Sequence, residues 1–524
     1  MKYKKLKIEE LIIKELIQEK IKDSLNLAVF KRRVSKRYKI SCPSNMQLLK
    51  VYHELAKKKR IKKSENIEQL LKTRPIRSLS GIVNVSVLTK PYSCPGKCIY
   101  CPTEKGIPKS YVSGEPAVER AKALKYDPYL QVSKRIEMLK VTGHPTDKID
   151  LRIIGGTWSY YPKRYQAWFI KKCFDGCNEK ISKGLLKSQE LNETAKHRVI
   201  GLSIETRPDF INKDEIKRLR RLGITKVELG IQSIYNDVLK LNKRGHDIKQ
   251  TVKATQLLKD TGFKISYQVM LNLPGANPQK DIEMFEELFS SPNFKPDLIK
   301  IYPCALLKET PLYKWYLKGK YKPYSEKTLI DIIIKAKRKI PYYVRIERIL
   351  RDIPSYKIIK GATKISNLRE VVQNEMKKQG WQCKCIRCRE IKERYLFKEK
   401  IYLFKEVYDA SGGEEIFLSF ENKKRDKLYS LLRLRILSET PLSVLKNSAV
   451  IREVHTYGQM IPISKKGASA QHRGLGKKLI KQAEDIVKNE FGIKKIAVIS
   501  GIGARNYWRK FNYKLKNTYM FKAL

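Results

Sequence analysis

No run of apolar residues in this 524-residue chain approaches the roughly 20 that a membrane span requires. The longest, such as LIIKELI at residues 11–17, is broken by charge within a few positions. The first residues are basic but lack an apolar stretch followed by small residues, so no secretory leader is expected. A cytoplasmic protein without a membrane partner is predicted. Acidic residues are scarce as well: 53 Asp and Glu stand against 111 Lys and Arg, a net charge of +58. That imbalance points to a polyanionic partner, nucleic acid above all. Part of it is compositional, because Lys, Ile and Asn are abundant together, as an AT-rich genome produces. The excess is nevertheless concentrated in residues 1–80, with 23 Lys and Arg against 8 Asp and Glu. Internal repeats and long low-complexity tracts are absent.

The length exceeds what one core can organise and suggests several domains. Apolar residues from Ile8 through Leu11, Ile12, Leu16, Ile17 and Ile21 to Leu25 recur at helical spacing, and NMQLLKVYHELAKKKR predicts a second helix. Residues 1–80 therefore read as a basic helical module, with Lys31, Arg32, Arg33, Lys36 and Arg37 as candidate nucleic-acid phosphate contacts beside Tyr38. From 81 to 340, six apolar strand candidates (GIVNVSVLT, IDLRIIGG, VIGLSIET, KVELGIQS, KISYQVMLNLPG and DLIKIYPC) alternate with helical stretches such as 116–140, 163–180, 248–260 and 279–290. This pattern predicts an α/β fold, a partial (β/α)6 barrel whose site gathers at the C-terminal ends of the strands. Residues 341–400 read as a linker. Residues 401–524 predict a smaller α+β domain with strands near 415–421, 427–437 and 449–457, a helix at 475–490, the strand KKIAVIS, a short helix and a last strand near 514–522.

The most telling deficit is a fourth cysteine. KPYSCPGKCIYCPTEKGIPKSY, directly after the first predicted strand, holds Cys94, Cys98 and Cys101 in the spacing C-x3-C-x2-C. A cubane iron–sulfur cluster fully ligated by protein takes four thiolates. Three leave one iron open to chelate the amino and carboxylate groups of S-adenosylmethionine, whose sulfonium can then be cleaved to a 5′-deoxyadenosyl radical. A zinc knuckle completed from elsewhere is the plainer alternative. Ten cysteines in a reducing compartment are not read as disulfides; Cys42, Cys173 and Cys177 read as core or incidental.

This loop resembles the signature of the radical S-adenosylmethionine superfamily, with an aromatic, Tyr100, before the last cysteine. Over nearly the whole chain, DPYLQVSKRIEML, GGTW, IETRPD, LGIQS, NKRGH, LPG, RIERILRDIP, QHRGLG and AVISGIGARNYW resemble the Elongator catalytic-subunit family, single-chain prokaryotic type. The resemblance implies a [4Fe-4S] cluster on Cys94, Cys98 and Cys101. It also implies S-adenosylmethionine contacts from Gly155, Gly156, Glu205, Arg207 and Gln232. QHRGLG follows a strand and opens a helix, where backbone N–H groups can hold a pyrophosphate; the surrounding pattern resembles the Gcn5-related acetyltransferase fold. That implies an acetyl-CoA cradle of Arg473, Gly474, Leu475 and Gly476, with Arg452, Glu453, Val454 and His455 beside the pantetheine. Lys148 and Tyr507 are implied at the thioester as catalytic residues. Cys304, Cys383, Cys385 and Cys388 suit tetrahedral zinc, as the resemblance also implies, with a second iron–sulfur cluster as the rival.

The expected reaction installs a carboxymethyl group on carbon 5 of the wobble uridine of a tRNA anticodon stem-loop. It uses the radical and acetyl-CoA, and an unidentified electron donor. A protein lysine acetyltransferase with a structural cluster domain is the alternative, followed by a non-catalytic tRNA scaffold. Monomer and homodimer both stay open.

Overall fold

The computed structural model describes residues 2–19, 21, 23–74, 78, 80–361, 365, 367–391, 399–458 and 474–524, with side chains from residue 8 onward. Among the described residues, no helix is long and apolar enough to cross a membrane.

Seven parallel strands form one open sheet in strictly sequential order: β1 Val83–Leu88, β2 Lys148–Ile154, β3 Arg198–Thr206, β4 Lys226–Gln232, β5 Lys264–Leu271, β6 Leu298–Pro303 and β7 Arg345–Arg348. Each successive pair is parallel and joined through helices, the arrangement that covers both faces of a sheet and makes its strands apolar. β4 is buried at every position. Helix starts are set by side-chain caps at Asp127, Asn212, Asp247 and Asn277, each accepting a backbone N–H of the first turn. Six strands were expected. The seventh lies beyond the predicted barrel boundary at 340, and its RIER sequence is too short and charged to stand out. The helix expected over 116–140 is two, Pro116–Ala123 and Pro128–Val141, parted where Asp127 caps the second.

The N-terminal module has its own core of Ile12, Leu16, Phe30, Val34, Leu49 and Tyr52. Its first amphipathic stretch is likewise two helices, Lys2–Gln18 and Ser24–Arg37, the second capped by Asp23.

The C-terminal domain is a mixed sheet in the order β13-β14-β12-β11-β10-β9-β8, from β8 Tyr402–Ala410, β9 Gly413–Glu421, β10 Leu428–Ile436, β11 Ala449–Thr456, β12 Lys495–Val498, β13 Lys514–Lys516 and β14 Tyr519–Ala523. β8 was not anticipated; it alternates exposed and half-buried residues at the sheet edge. β11 and β12 are the parallel pair. Their register runs only from Ala449 opposite Ile496 to Ile451 opposite Val498, after which β12 ends and β11 continues alone.

The two domains are joined by buried charge. Arg452 pairs with Asp297 at 2.5 Å and, within its own domain, with Glu415 at 2.7 Å; Arg435 pairs with Asp260 at 2.5 Å and likewise with Glu415 at 3.1 Å; Arg433 reaches Asp297 at 3.6 Å, and Lys264 of the barrel pairs with Glu453 at 2.9 Å. Burial alone would push the Asp297 carboxyl up; Arg452, Lys259 and Arg433 outweigh it and hold it well below the usual range. Such a network contributes little net energy when complete, but removing one partner strands a buried charge.

Candidate active site

The loop after β1 turns back over the barrel rim and is pinned by Ile99 N–H to the Asn242 carbonyl and Leu312 N–H to the Ile99 carbonyl. It brings Cys94 and Cys98 to Gly96, where a Cβ would stand 3.5 Å from Cys98 Sγ and 3.6 Å from Cys94 Sγ. Burial and the neighbouring Cys98 and Cys94 sulfurs push the Cys101 thiol up to about 11. Three thiolates so placed repel one another and fit a cationic metal group at their centre. Arg244 donates to Cys98 Sγ at 3.6 Å, and Thr157 lies 3.7 Å from Cys94 Sγ.

Beside this loop, β2 ends in Gly155 (φ +133°) and Gly156 (φ +96°). A Cβ on Gly155 would lie 1.9 Å from Thr89 Oγ1, so no other residue fits there without displacing the loop. Glu205, ending β3, accepts from Tyr111 at 3.0 Å and Gln268 at 3.1 Å. Gln232 ends β4 with φ +66°. Arg207 donates to Asp209 through two 2.9 Å bonds and to the Gly245 carbonyl, and its remaining nitrogen lies against Gly96 with no hydrogen-bond partner among the described residues.

A single cavity of about 1920 Å³ is lined by Cys101, Glu205 and Gln232 at the C-terminal ends of the strands. It continues past Ser86, Arg152, Gln268 and Lys300 to Lys148, Lys226 and Lys264 at their opposite ends, and on to His455, Gly474, Gly476 and Tyr507. The interior charges were not anticipated. Glu228 pairs with Arg152 at 2.8 Å and with Lys300, and Glu347 with Lys226 at 2.9 Å. Burial would raise the Glu228 carboxyl, but Arg152, Lys300 and Lys226 hold it down at about 2. Their signal was a charge at an inward position of an otherwise apolar strand, as in DLRII, KVELG and LIKIY. The cavity lining also includes exposed Arg74 and half-buried Arg348 and Arg369, unforeseen as well.

At the far end, Gly474 (φ +68°) caps the helix Leu475–Asn489. A Cβ on Gly476 would be 3.2 Å from the Tyr507 hydroxyl and 3.5 Å from Thr456 Oγ1, so tyrosine, helix start and β11 converge. Arg473 lies outside the described residues. Burial lowers the Lys148 pKa and takes His455 down to about 3, leaving a neutral imidazole whose Nε2 has no hydrogen-bond partner among the described residues. Arg452 and Glu453 line the cavity too, but their side chains are paired, Arg452 with Asp297 and Glu415 and Glu453 with Lys264 and Arg433. From this stretch, the backbone and the Val454 and His455 side chains are left to face a ligand.

Cys383, Cys385 and Cys388 bring their sulfurs within 4.8 Å of one another. Cys304 does not join them. It is buried with Cys98, Leu306 and Tyr321 on the other side of the barrel rim, and burial pushes its thiol up to about 12. The four-thiolate set is thereby corrected to three, with Gln373 at 3.4 Å and Lys337 at 3.8 Å from Cys388 Sγ. In the N-terminal module, Arg37 pairs with Glu15 at 3.0 Å, Arg33 with Glu19, and Lys31 donates to Asn45 at 2.9 Å, while Arg32 and Lys36 are exposed.

Residues 89–288 match the radical SAM superfamily and residues 296–378 the radical SAM C-terminal domain. The chain is 46% identical to the tRNA uridine(34) acetyltransferase of Methanocaldococcus infernus, over 99% of this chain and 98% of that protein. It is 38% identical to human Elongator complex protein 3, over 87% and 86% of the two chains. The solved structure of the Methanocaldococcus infernus Elp3 with its N-terminus deleted superposes with a TM-score of 0.76 at 44% identity, covering 85% of this chain and all of that one. With its cluster loop, seven-stranded open barrel and appended mixed-sheet domain, the chain belongs to the radical SAM superfamily and, within it, to the Elongator complex protein 3 family.

Proposed function

We propose that this protein modifies the wobble uridine of tRNA, building a carboxymethyl group on carbon 5 from acetyl-CoA. The observation that carries the reading is the one continuous cavity running from Cys101 to Tyr507. It gives a radical generator and an acyl donor a shared space, and so the proximity that joining their products requires.

With S-adenosylmethionine, a [4Fe-4S] group held by Cys94, Cys98 and Cys101 supplies a 5′-deoxyadenosyl radical. The chain does the rest. Gly155 and Gly156 keep the β2 end bare so that the sulfonium ligand can approach the backbone. Glu205, oriented by Tyr111 and Gln268, is placed to accept from ribose hydroxyls. The parting of β11 from β12 leaves the β11 backbone beyond Ile451 without a parallel neighbour, a slot for an amide-bearing pantetheine arm. The start of the helix Leu475–Asn489 offers N–H groups to a pyrophosphate. Tyr507 and Lys148, both on the cavity wall, would polarise the thioester carbonyl, and neutral His455, whose Nε2 has no partner among the described residues, would accept a hydrogen bond from the ligand or its attacking water. The arginines of the cavity lining suit an anticodon loop whose target base leaves its stack. Cys383, Cys385 and Cys388 offer zinc three thiolates and leave its fourth position to another ligand.

The test is anaerobic incubation of the reconstituted protein with tRNA, acetyl-CoA, S-adenosylmethionine and dithionite, followed by nucleoside mass spectrometry. Carboxymethyluridine dependent on all three small molecules is expected, with none from Cys98→Ser. Peptide acetylation without S-adenosylmethionine, and no nucleoside product, would refute the reading.

A further inference from the structure

Reductive cleavage of a sulfonium consumes one electron per event, and the cavity side of the three thiols is where S-adenosylmethionine and the target nucleoside must lie. An electron has to arrive from the other side. There the loop carries Gly96, where a Cβ would stand 3.5 Å from Cys98 Sγ and 3.6 Å from Cys94 Sγ. On its outer surface lies a separate groove of about 630 Å³, floored by Pro95, Gly96 and Gly245 and edged by Lys97, Lys240 and Lys243. All three lysines are exposed, and none is in an ion pair among the described residues. The one carboxylate on the groove, Asp247, accepts the Gln250 N–H as a helix cap. Behind the floor, Arg207, paired with Asp209, abuts Gly96, and Arg244 donates to Cys98 Sγ at 3.6 Å.

We propose that this groove is the docking face for an acidic one-electron carrier protein. The charge arrangement steers such a carrier onto the loop. The small, little-polar floor matches the limited contact of transient redox encounters. One electron leaves the reduced carrier, which is oxidised by one electron, and enters the metal centre on Cys94, Cys98 and Cys101; no atom is transferred. This rests on the cluster assignment above.

The test uses an acidic flavodoxin as probe, the intact reconstituted protein and the Lys240→Glu/Lys243→Glu variant, whose sites lie outside the cysteine loop. Fluorescence anisotropy of labelled flavodoxin reads binding, and stopped-flow bleaching of the cluster reads reduction. At low salt the variant should bind about tenfold more weakly and accept electrons about tenfold more slowly, with a flattened salt dependence. Lys240→Arg/Lys243→Arg should behave as wild type. Dithionite-driven reduction and tRNA affinity should be unchanged. Unaltered flavodoxin binding and rate would overturn the docking assignment. So would a loss confined to tRNA affinity, which would give the patch to RNA. A wild-type centre that dithionite itself cannot reduce would sink the cluster assignment, and the docking face with it.

Discussion

Gly155→Ala is the sharpest probe of the S-adenosylmethionine ledge. The backbone there has φ +133°, where an L side chain costs about 1–3 kcal/mol. The new methyl would also stand 1.9 Å from Thr89 Oγ1, and 3.1 and 3.2 Å from Thr89 Cβ and N. Overpacking of that kind costs about another 1–3 kcal/mol. Thr89 cannot give way freely, because its hydroxyl is 2.8 Å from that of Tyr161, which also donates to the Lys90 carbonyl at 2.9 Å and stacks on Tyr92 two residues before Cys94. The strain therefore reaches the cluster loop. Gly156→Ala is the control, with φ +96° but no contact closer than 3.4 Å, so only the backbone part applies. Melting temperature and dithionite-driven 5′-deoxyadenosine formation should fall more for Gly155→Ala than for Gly156→Ala. Thr89→Ala in the Gly155→Ala background should restore part of the steric loss, only part because Thr89 Cβ and N remain close. Equal effects of the two glycine substitutions, or no rescue, would refute the reasoning.

Arg452→Met should destabilise the domain junction by about 3–5 kcal/mol by leaving Asp297 and Glu415 buried without their main partner, measurable as a lower and split melting transition. On the proposed zinc assignment, Cys388→Ser should lower the zinc bound by the purified protein while Cys304→Ser leaves it unchanged, read by elemental analysis. His455 is held near 3 against an ordinary 6.5 by burial, so the unfolded chain binds its proton first on acidification. Its contribution to stability is present above pH 6.5 and is lost as pH falls towards about 3, and His455→Gln should flatten the melting temperature over that window.

Much of the plan was legible in the chain, and the exceptions share physical causes. The cysteine loop, the six apolar strands and the glycine-opened helix are local patterns, and the structure has each where the pattern falls. β7 was missed because four residues with three charges do not look like a strand, although Ile346 is fully buried and its neighbours turn to partners across the barrel. The helices over 8–34 and 116–140 broke where Asp23 and Asp127 cap, because side-chain caps override a continuous apolar stripe. The ion-pair partners of Arg452 and Arg207 were not legible, because one-dimensional reading cannot see Asp297, 155 residues away, or the fork of Asp209 beneath a turn. Cys304 was grouped with CKCIRC on the four-thiolate count and the resemblance; the end of β6 places it with Tyr321 instead.

The two candidate sites lie at opposite ends of the same strands, and that separation constrains any reaction between them. The seven residues of β4 span roughly 20 Å at a strand's rise. Neither ligand crosses that distance unless the barrel interior lets it, and the interior is lined by fixed, paired charges rather than packed with aliphatic side chains as a closed barrel is. A paired network lets a polar acyl group pass without displacing an unpaired ion, and it explains why Arg152, Glu228, Lys300 and Glu347 occupy positions where a purely structural core would hold valine or leucine. Ser86, midway along β1 and lining this passage, is the place to close it. Ser86→Phe should leave dithionite-driven S-adenosylmethionine cleavage and acetyl-CoA binding each within about twofold of wild type, since neither end is touched, while modified uridine falls at least tenfold. If nucleoside product survives that substitution, the acyl group does not travel through the barrel, and the two ends must meet by a movement of the domains instead.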